Sequence, residues 1–232
     1  LLRERGIRMP IVVLNADEGS FDLMVAHRLE PEIYNFRSLA FFSKAVERVG
    51  EESYPIHIKL DTGMHRLGFM EGELDMLTET LGETPSVKVA TIFSHLNCSD
   101  MPQEDRYTRE QIARFDRMSG RLAAALPYPV LRHTANSAAI ERFPEAQFDM
   151  CRLGLGLYGF GFEHNDELKP VSTLKSRIVQ LKHLSAGEAV GYGRAGKLTR
   201  DSVTATVPMG YADGLDRHLG CGRWWVLVGG GG

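Results

Sequence analysis

The sequence predicts an α/β chain: a parallel sheet covered by helices over residues 1–161, followed by a smaller antiparallel β domain over 170–228. Three observations carry this. Short apolar runs rich in Val and Ile alternate with segments of helical spacing, the repeat of strand and crossover helix that builds a parallel sheet. After Gly161 that alternation stops, and β-branched residues instead alternate with polar ones between Gly and Asp-Gly turns. Between the two lies "GFGFEHNDELKP", glycine-flanked, acidic and ended by Pro170, the composition of a domain boundary.

Taken in order, strands are expected at 10–14, 32–36, 56–60, 87–94, 130–133 and 148–153, each a short run that reads as buried. Helical spacing falls at 22–29, 38–49, 71–81 and 105–126. No GxGxxG turn follows any of the strands, which disfavours an open, doubly wound dinucleotide-binding sheet. The glycines at 229–232 form a tail without structural assignment.

Composition sets further bounds. At 232 residues, 43% hydrophobic and 25% charged, the chain can bury a large core. A net charge of −3 with no basic run gives no electrostatic reason to expect nucleic acid or a membrane surface as partner, so a small molecule is the expected ligand. No stretch approaches the ~20 apolar residues that cross a bilayer, and the opening "LLRERGIRMP" lacks the features of a signal peptide, so the expected location is cytoplasmic. Cys98, Cys151 and Cys221 are odd in number and lack CxxC spacing, so free thiols are expected, without disulfide or metal site.

Chemistry gathers after the strands. "HIKLDTGMHRLGF" places Lys59, Asp61 and Arg66 in one glycine-punctuated loop; "SHLNCSD" supplies His95, "RHTANSAA" supplies His133, Asn136 and Ser137, and "CRLGLGLYG" supplies Arg152. In a (β/α) barrel every strand points its C-terminal end at one mouth, so residues so placed converge there. Barrels also bind phosphate in the loops after their last strands, where N–H groups and a hydroxyl surround the anion. Ser137, Gly154 and the N–H of Leu155 match that requirement, which points to a phosphate-bearing cofactor.

The motifs "IKLDTGMHRLGF", "SHLNCSD", "RHTANSAA", "DMCRLGLGLYG", "AVGYG" and "MGYADGLDR" occur in an order and spacing that resemble the alanine racemases, pyridoxal 5'-phosphate enzymes that interconvert L- and D-alanine for cell-wall peptidoglycan. The resemblance covers the chain up to the glycine tail. It implies a (β/α)8 TIM-type barrel, whose first two strands are absent here, followed by the antiparallel β domain. It also implies a head-to-tail homodimer in which the β domain of one subunit completes the other's site. The Schiff-base lysine of such enzymes lies on the first strand in a motif like AVVKADAYGHG, which does not occur here, nor does a distal stretch with a Met-Asp pair and a phosphate-contacting Tyr. The 232 residues alone are therefore expected to be inactive.

The resemblance also implies roles. Tyr192 would be the base that exchanges the Cα proton on one face, opposite the lysine; a phenol with pKa about 10 needs tuning for that work, and without the motif Tyr192 reads as a hairpin tyrosine packed on its sheet. His95 would hydrogen-bond Tyr192 of the other subunit. Arg152 would face the pyridine nitrogen, where it cannot accept a proton and so weakens the electron sink; read alone, it would pair with Asp149. Arg66 would bind the cofactor phenolic oxygen and the substrate carboxylate. Lys59, carbamylated in many relatives, would as an unmodified cation repel Arg66, a physical motive for modification. Tyr211 and Arg217 would line the substrate entrance, and His133 and Asn136 would support the site. Two alternatives remain: a barrel decarboxylase or amino-acid dehydratase on the same cofactor, needing a larger pocket or a metal pair that no motif shows, and a non-enzymatic cofactor-handling barrel, which would lack the β domain.

Overall fold

The computed structural model describes residues 1–220 and 222–229, in two compact units, Leu1–Val171 and Ser172–Gly232. Cys221 and the glycines from 230 onward lie outside the described residues. Cys98 and Cys151 are free thiols.

The first unit is an open, all-parallel sheet in sequence order: β1 (Val12–Val13), β2 (Glu30–Ile33), β3 (Tyr54–Lys59), β4 (Val87–Phe93) and β5 (Leu131–His133). Helices α1 (Phe21–Ala26), α2 (Phe36–Arg48), α3 (Leu74–Gly82) and α4 (Asp105–Ala125) make the crossovers. On α4 the buried positions Thr108, Gln111, Ile112, Phe115, Met118, Ser119 and Leu122 recur at three- and four-residue intervals, the stripe that lets a helix lie on a sheet. Leu39, Phe42 and Val46 of α2 and Leu74, Leu77 and Leu81 of α3 meet Ile33, Ile56, Ile58, Val89 and Ile92 of the strands in one apolar core.

Three expectations are corrected. The strand expected at 32–36 ends at Ile33, because Asn35 opens α2: its side chain accepts the Ser38 N–H at 2.7 Å while Ser38 bonds back, a reciprocal cap. The strand expected at 148–153 does not form. Phe148 adopts φ 46°, outside the extended region, and Asp149 meets β5 with its side chain as well as its backbone, Oδ2 accepting the Arg132 N–H at 2.8 Å. One further backbone bond, Arg152 N–H to Ala135 O at 3.0 Å, ties the segment alongside without making a strand. The sheet of the described residues therefore has five strands where six were expected, and it does not close. A short helix α5 (Ser137–Arg142), capped by Asn136 through the Ala139 N–H at 3.0 Å, lies where no helix was expected; six residues are too few to show a period.

The second unit holds two antiparallel ladders. Strand β6 (Gln180–Leu184) pairs with β9 (Ser202–Thr206), and β7 (Ala189–Val190) with β8 (Gly196–Lys197). Their turns are fastened by side chains: Glu188 accepts the Ser185 N–H, and Asp201 the Ala186 N–H. Trp224 and Trp225 of this unit are exposed, not packed within it. No helix among the described residues is long and apolar enough to cross a membrane.

Candidate active site

The loop after β3 is closed on itself. Asp61 N–H donates to Phe69 O at 3.0 Å and Phe69 N–H to Lys59 O at 2.9 Å, so residues 61–69 form a loop pinned at its neck. Within it Asp61 Oδ1 accepts the N–H groups of Gly63 and His65, at 2.9 and 3.0 Å. From α4, Tyr107 donates to Gly63 O at 2.7 Å and Arg114 to Thr62 O at 3.0 Å. Gly63 and Gly68 have φ of +139° and +124°, and a Cβ at Gly68 would lie 2.6 Å from the Asp61 nitrogen. The glycines are there because no side chain fits the backbone at that neck. Arg66 is exposed on this loop.

Lys59, at the end of β3, is buried. Its Nζ donates to Glu32 Oε1 at 3.3 Å and lies 4.7 Å from the centre of the Phe93 ring. Glu32 Oε2 in turn accepts the Asn15 N–H at 2.6 Å. Burial pulls the Lys59 ammonium below the ordinary lysine value; Glu32 opposes that shift, and the charges of Arg152 and Arg66 add to it. The anion next to Lys59, which the sequence reading sought in a modification, is already present as Glu32.

Arg152 is the centre of the rim. Its half-buried guanidinium donates to His133 Nδ1 at 2.8 Å, to Ser94 O at 2.7 Å and to Thr134 O at 3.2 Å, with His95 Nδ1 at 3.3 Å. It lies over Phe93, and the ring of His133 stacks on Phe93 at 5.0 Å. No carboxylate of the described residues lies within ion-pair distance, and Asp149 is turned to the Arg132 backbone instead. Loss of water lowers Arg152 to about 10, with Glu32 opposing at longer range. His95 is held down at about 4 by burial and then by Arg152, Lys59 and Arg66, so its ring is neutral near pH 7 and its Nδ1 is free to accept.

Beside Arg152, Ser137 Oγ accepts the N–H groups of Gly154 and Gly156 at 2.9 and 3.2 Å, tying the start of α5 to the 3-10 turn Leu155–Tyr158. Asn136 donates to Leu96 O at 3.1 Å and accepts the Ser99 hydroxyl at 2.8 Å, joining the loops after β4 and β5. Lys59 and His133 end strands β3 and β5, and Arg66, His95, Asn136, Ser137, Arg152, Gly154 and Leu155 lie on the segments that follow the parallel strands of the first unit. Tyr192, Tyr211 and Arg217 belong to the second unit; Tyr192 and Tyr211 are exposed, and Arg217 lies over the Tyr211 ring at 5.8 Å.

The sequence reading missed Glu30, Glu32, His57 and Thr91, which stand beneath the rim on β2, β3 and β4. The signal was available: "EPEI" and "HIK" put two acids and two bases at alternate positions of adjacent runs, a pattern that a solvent-facing strand does not need and a buried one must pair.

A parallel sheet whose C-terminal rim presents two arginines and a hydroxyl-and-N–H cradle defines a barrel-type domain suited to a small anionic ligand. The family described as alanine racemase, N-terminal domain, matches residues 1–161, and the one described as alanine racemase, C-terminal domain, matches 171–231. The chain belongs to the alanine racemase family. It is 37% identical to an alanine racemase of Sorangium cellulosum (strain So ce56) over 94% of this chain and 59% of that protein, and 35% identical to one of Clostridium novyi (strain NT) over 99% and 60%. Among solved structures, the alanine racemase from D-cycloserine producing Streptomyces lavendulae superposes with a TM-score of 0.89 at 29% identity, over 99% of this chain and 62% of that one. The alanine racemase of Streptomyces coelicolor A3(2) gives 0.84 at 28%, over 93% and 59%. The chain spans about 60% of the length of the curated relatives it matches.

Proposed function

We propose that this chain forms the cofactor and substrate pocket of an alanine racemase that interconverts L- and D-alanine with pyridoxal 5'-phosphate, supplying D-alanine for peptidoglycan. The observation that carries the reading is Arg152: a half-buried guanidinium fixed by His133 and Ser94, without a carboxylate partner among the described residues, next to the Ser137 cradle. These residues fit the phosphorylated pyridine on the chemistry of their donors. Arg66 and Arg152 leave positive charge at the rim for an anion, the Ser137 hydroxyl, held by the Gly154 and Gly156 N–H groups, with the N–H of Leu155 offers donors to a phosphate, and Arg152 can only donate to a ring nitrogen. When bound, the cofactor supplies an electron-withdrawing ring that acidifies the Cα–H of an amino acid.

The chain's own residues then divide the work. Arg66, on its pinned loop, would orient the substrate carboxylate through its planar fork. Tyr192, exposed in the second unit, would come from a second copy of the chain to give and take the Cα proton on one face, with the neutral His95 accepting or donating one hydrogen bond to hold it. Tyr211 and Arg217 would bound the entrance and favour small, charged substrates. Lys59 is held by Glu32, and the family's first-strand lysine motif does not occur in these 232 residues, so the opposing base would be supplied by further polypeptide.

The test is made on the full-length protein in solvent deuterium. Tyr192→Phe should slow exchange starting from L-alanine far more than from D-alanine, and Arg152→Ala should weaken uptake of the cofactor, read by its absorbance. Equal effects in both directions would remove Tyr192 from its face; full cofactor uptake and racemisation by the Arg152 variant would overturn the reading.

A further inference from the structure

A single file of hydrogen bonds crosses the face of the sheet from the start of β2 to the rim. Glu30 Oε2 lies 2.8 Å from His57 Nε2, His57 Nδ1 2.8 Å from Thr91 Oγ1, Thr91 Oγ1 3.0 Å from His133 Nε2, and His133 Nδ1 2.8 Å from Arg152 Nη1. The members stand on four adjacent strands and the segment after β5, with His57 and Thr91 direct partners in the β3–β4 register. His57, Thr91 and His133 are buried, so water cannot substitute for a missing partner.

The chemistry of the two ends gives the file a direction. Arginine has no acceptor, so His133 Nδ1 must carry the lone pair and His133 Nε2 the proton, which it donates to Thr91. An ionised carboxylate has no donor, so His57 Nε2 must carry the proton that Glu30 accepts. With one proton per ring, the Thr91 hydroxyl then donates to His57 Nδ1 and every group is satisfied. Burial and the nearby Arg152 charge hold the His133 ring at about 3, in keeping with its single-proton form.

Remove the acceptor at Glu30 and the direction is set from the Arg152 end alone. His57 can carry its proton on Nδ1 and donate to Thr91, Thr91 can turn its hydroxyl toward His133 Nε2, and His133 must then hold its proton on Nδ1. That proton would face the Arg152 N–H, donor against donor, and Arg152 would lose its in-plane anchor.

We propose that Glu30, at the opposite end of the strands from the rim, is a positioning residue for Arg152, acting through His57, Thr91 and His133. The structural claim stands on this file alone; its consequence for racemisation rests on the function proposed above.

The test is nitrogen NMR of histidine side chains in the full-length protein. In the native protein His133 should show one tautomer, Nδ1 bare and Nε2 protonated. Glu30→Ala should give a mixture of tautomers at His133, distant in sequence but joined to it by the file, while Glu30→Gln, whose amide oxygen still accepts from His57, should restore the single form. Thr91→Val, of the same shape, cuts the file at its middle and should reproduce the Glu30→Ala pattern; it decides the matter if Glu30→Ala does not fold. In the cofactor-loaded protein, kcat should fall about tenfold in Glu30→Ala with KM for alanine within about twofold, and recover in Glu30→Gln. A single unchanged His133 tautomer in both Thr91→Val and a folded Glu30→Ala would overturn the proposal. A tautomer change in a protein that takes up no pyridoxal phosphate would support the file and overturn only the proposed function.

Discussion

Replacing Glu32 with Gln isolates the charge of the buried Glu32–Lys59 pair. At 3.3 Å and an effective dielectric of about 20, the lost attraction is 332/(20 × 3.3), or about 5 kcal/mol. Lys59 has one escape, to shed its proton. From the ordinary value of 10.5, doing so at about pH 7 costs 3.5 × 1.36, again about 5 kcal/mol, which caps the penalty. The amide can still accept from either Lys59 or the Asn15 N–H, though not from both with its oxygen, so some compensation remains. A loss of about 3–5 kcal/mol is expected, the range for a buried pair deprived of one partner. Urea unfolding followed by circular dichroism measures it; fluorescence would not, since both tryptophans lie in the second unit. The sign with pH is fixed by Lys59, whose folded value is depressed: the unfolded chain binds the proton more tightly, so stability rises with pH up to about 10.5. In Glu32→Gln the depression deepens and the window widens downward, so the deficit against the native protein should shrink as pH rises toward the ordinary lysine value. A variant within about 0.5 kcal/mol of the native protein at pH 7, or a deficit independent of pH, would refute the reasoning.

Acidification should destabilise the first unit as pH falls below about 6.5, because His133 and His95, held at about 3 and about 4, refuse protons that the unfolded chain accepts. At about pH 4.5 His133 alone accounts for about 3 kcal/mol, and His133→Gln should flatten the pH profile of urea unfolding. Gly68→Ala should cost about 2–4 kcal/mol by the same assay, since the new Cβ meets backbone at 2.6 and 2.7 Å on both Asp61 and Leu60 in a left-handed conformation. Glu141→Ala should leave global stability within about 1 kcal/mol but speed amide exchange at Phe162, Glu163 and His164, whose N–H groups its carboxylate accepts at 3.1, 2.8 and 3.0 Å.

What could be read from the sequence follows from period and length. Strands β3 and β4 and the long helices α2 and α4 carry enough repeats for the pattern to outweigh local noise, and parallel connectivity then sends the residues after each strand to one end. Local chemistry decided the rest. The reciprocal cap of Asn35 and Ser38 ends β2 early, the backbone of Phe148 turns the expected sixth strand aside, and α5 is held by Asn136 without a periodic signal. The rim was legible from its motifs, but what lies beneath it was not, because Glu30 and Glu32 look like surface acids until β2 is set beside His57 and Lys59. Pairing between strands is non-local information that a single run of residues does not contain.

That pairing also bears on ligand binding. On this face Lys59, Arg66 and Arg152 bring three positive charges, against the two acids Glu30 and Glu32. Glu32 is committed to Lys59 at 3.3 Å, and Glu30 reaches Arg152 only through three intervening side chains. The two arginines of the rim therefore keep positive charge that no carboxylate of the described residues cancels, and for Arg152 this charge is partly withdrawn from water. Such an arrangement is costly in the free protein and is relieved when an anion arrives, so binding and folding favour the same event. The acids below the rim are placed to hold the basic residues without neutralising the site: one compensates the lysine directly, while the other orients an arginine from a distance and leaves its charge available.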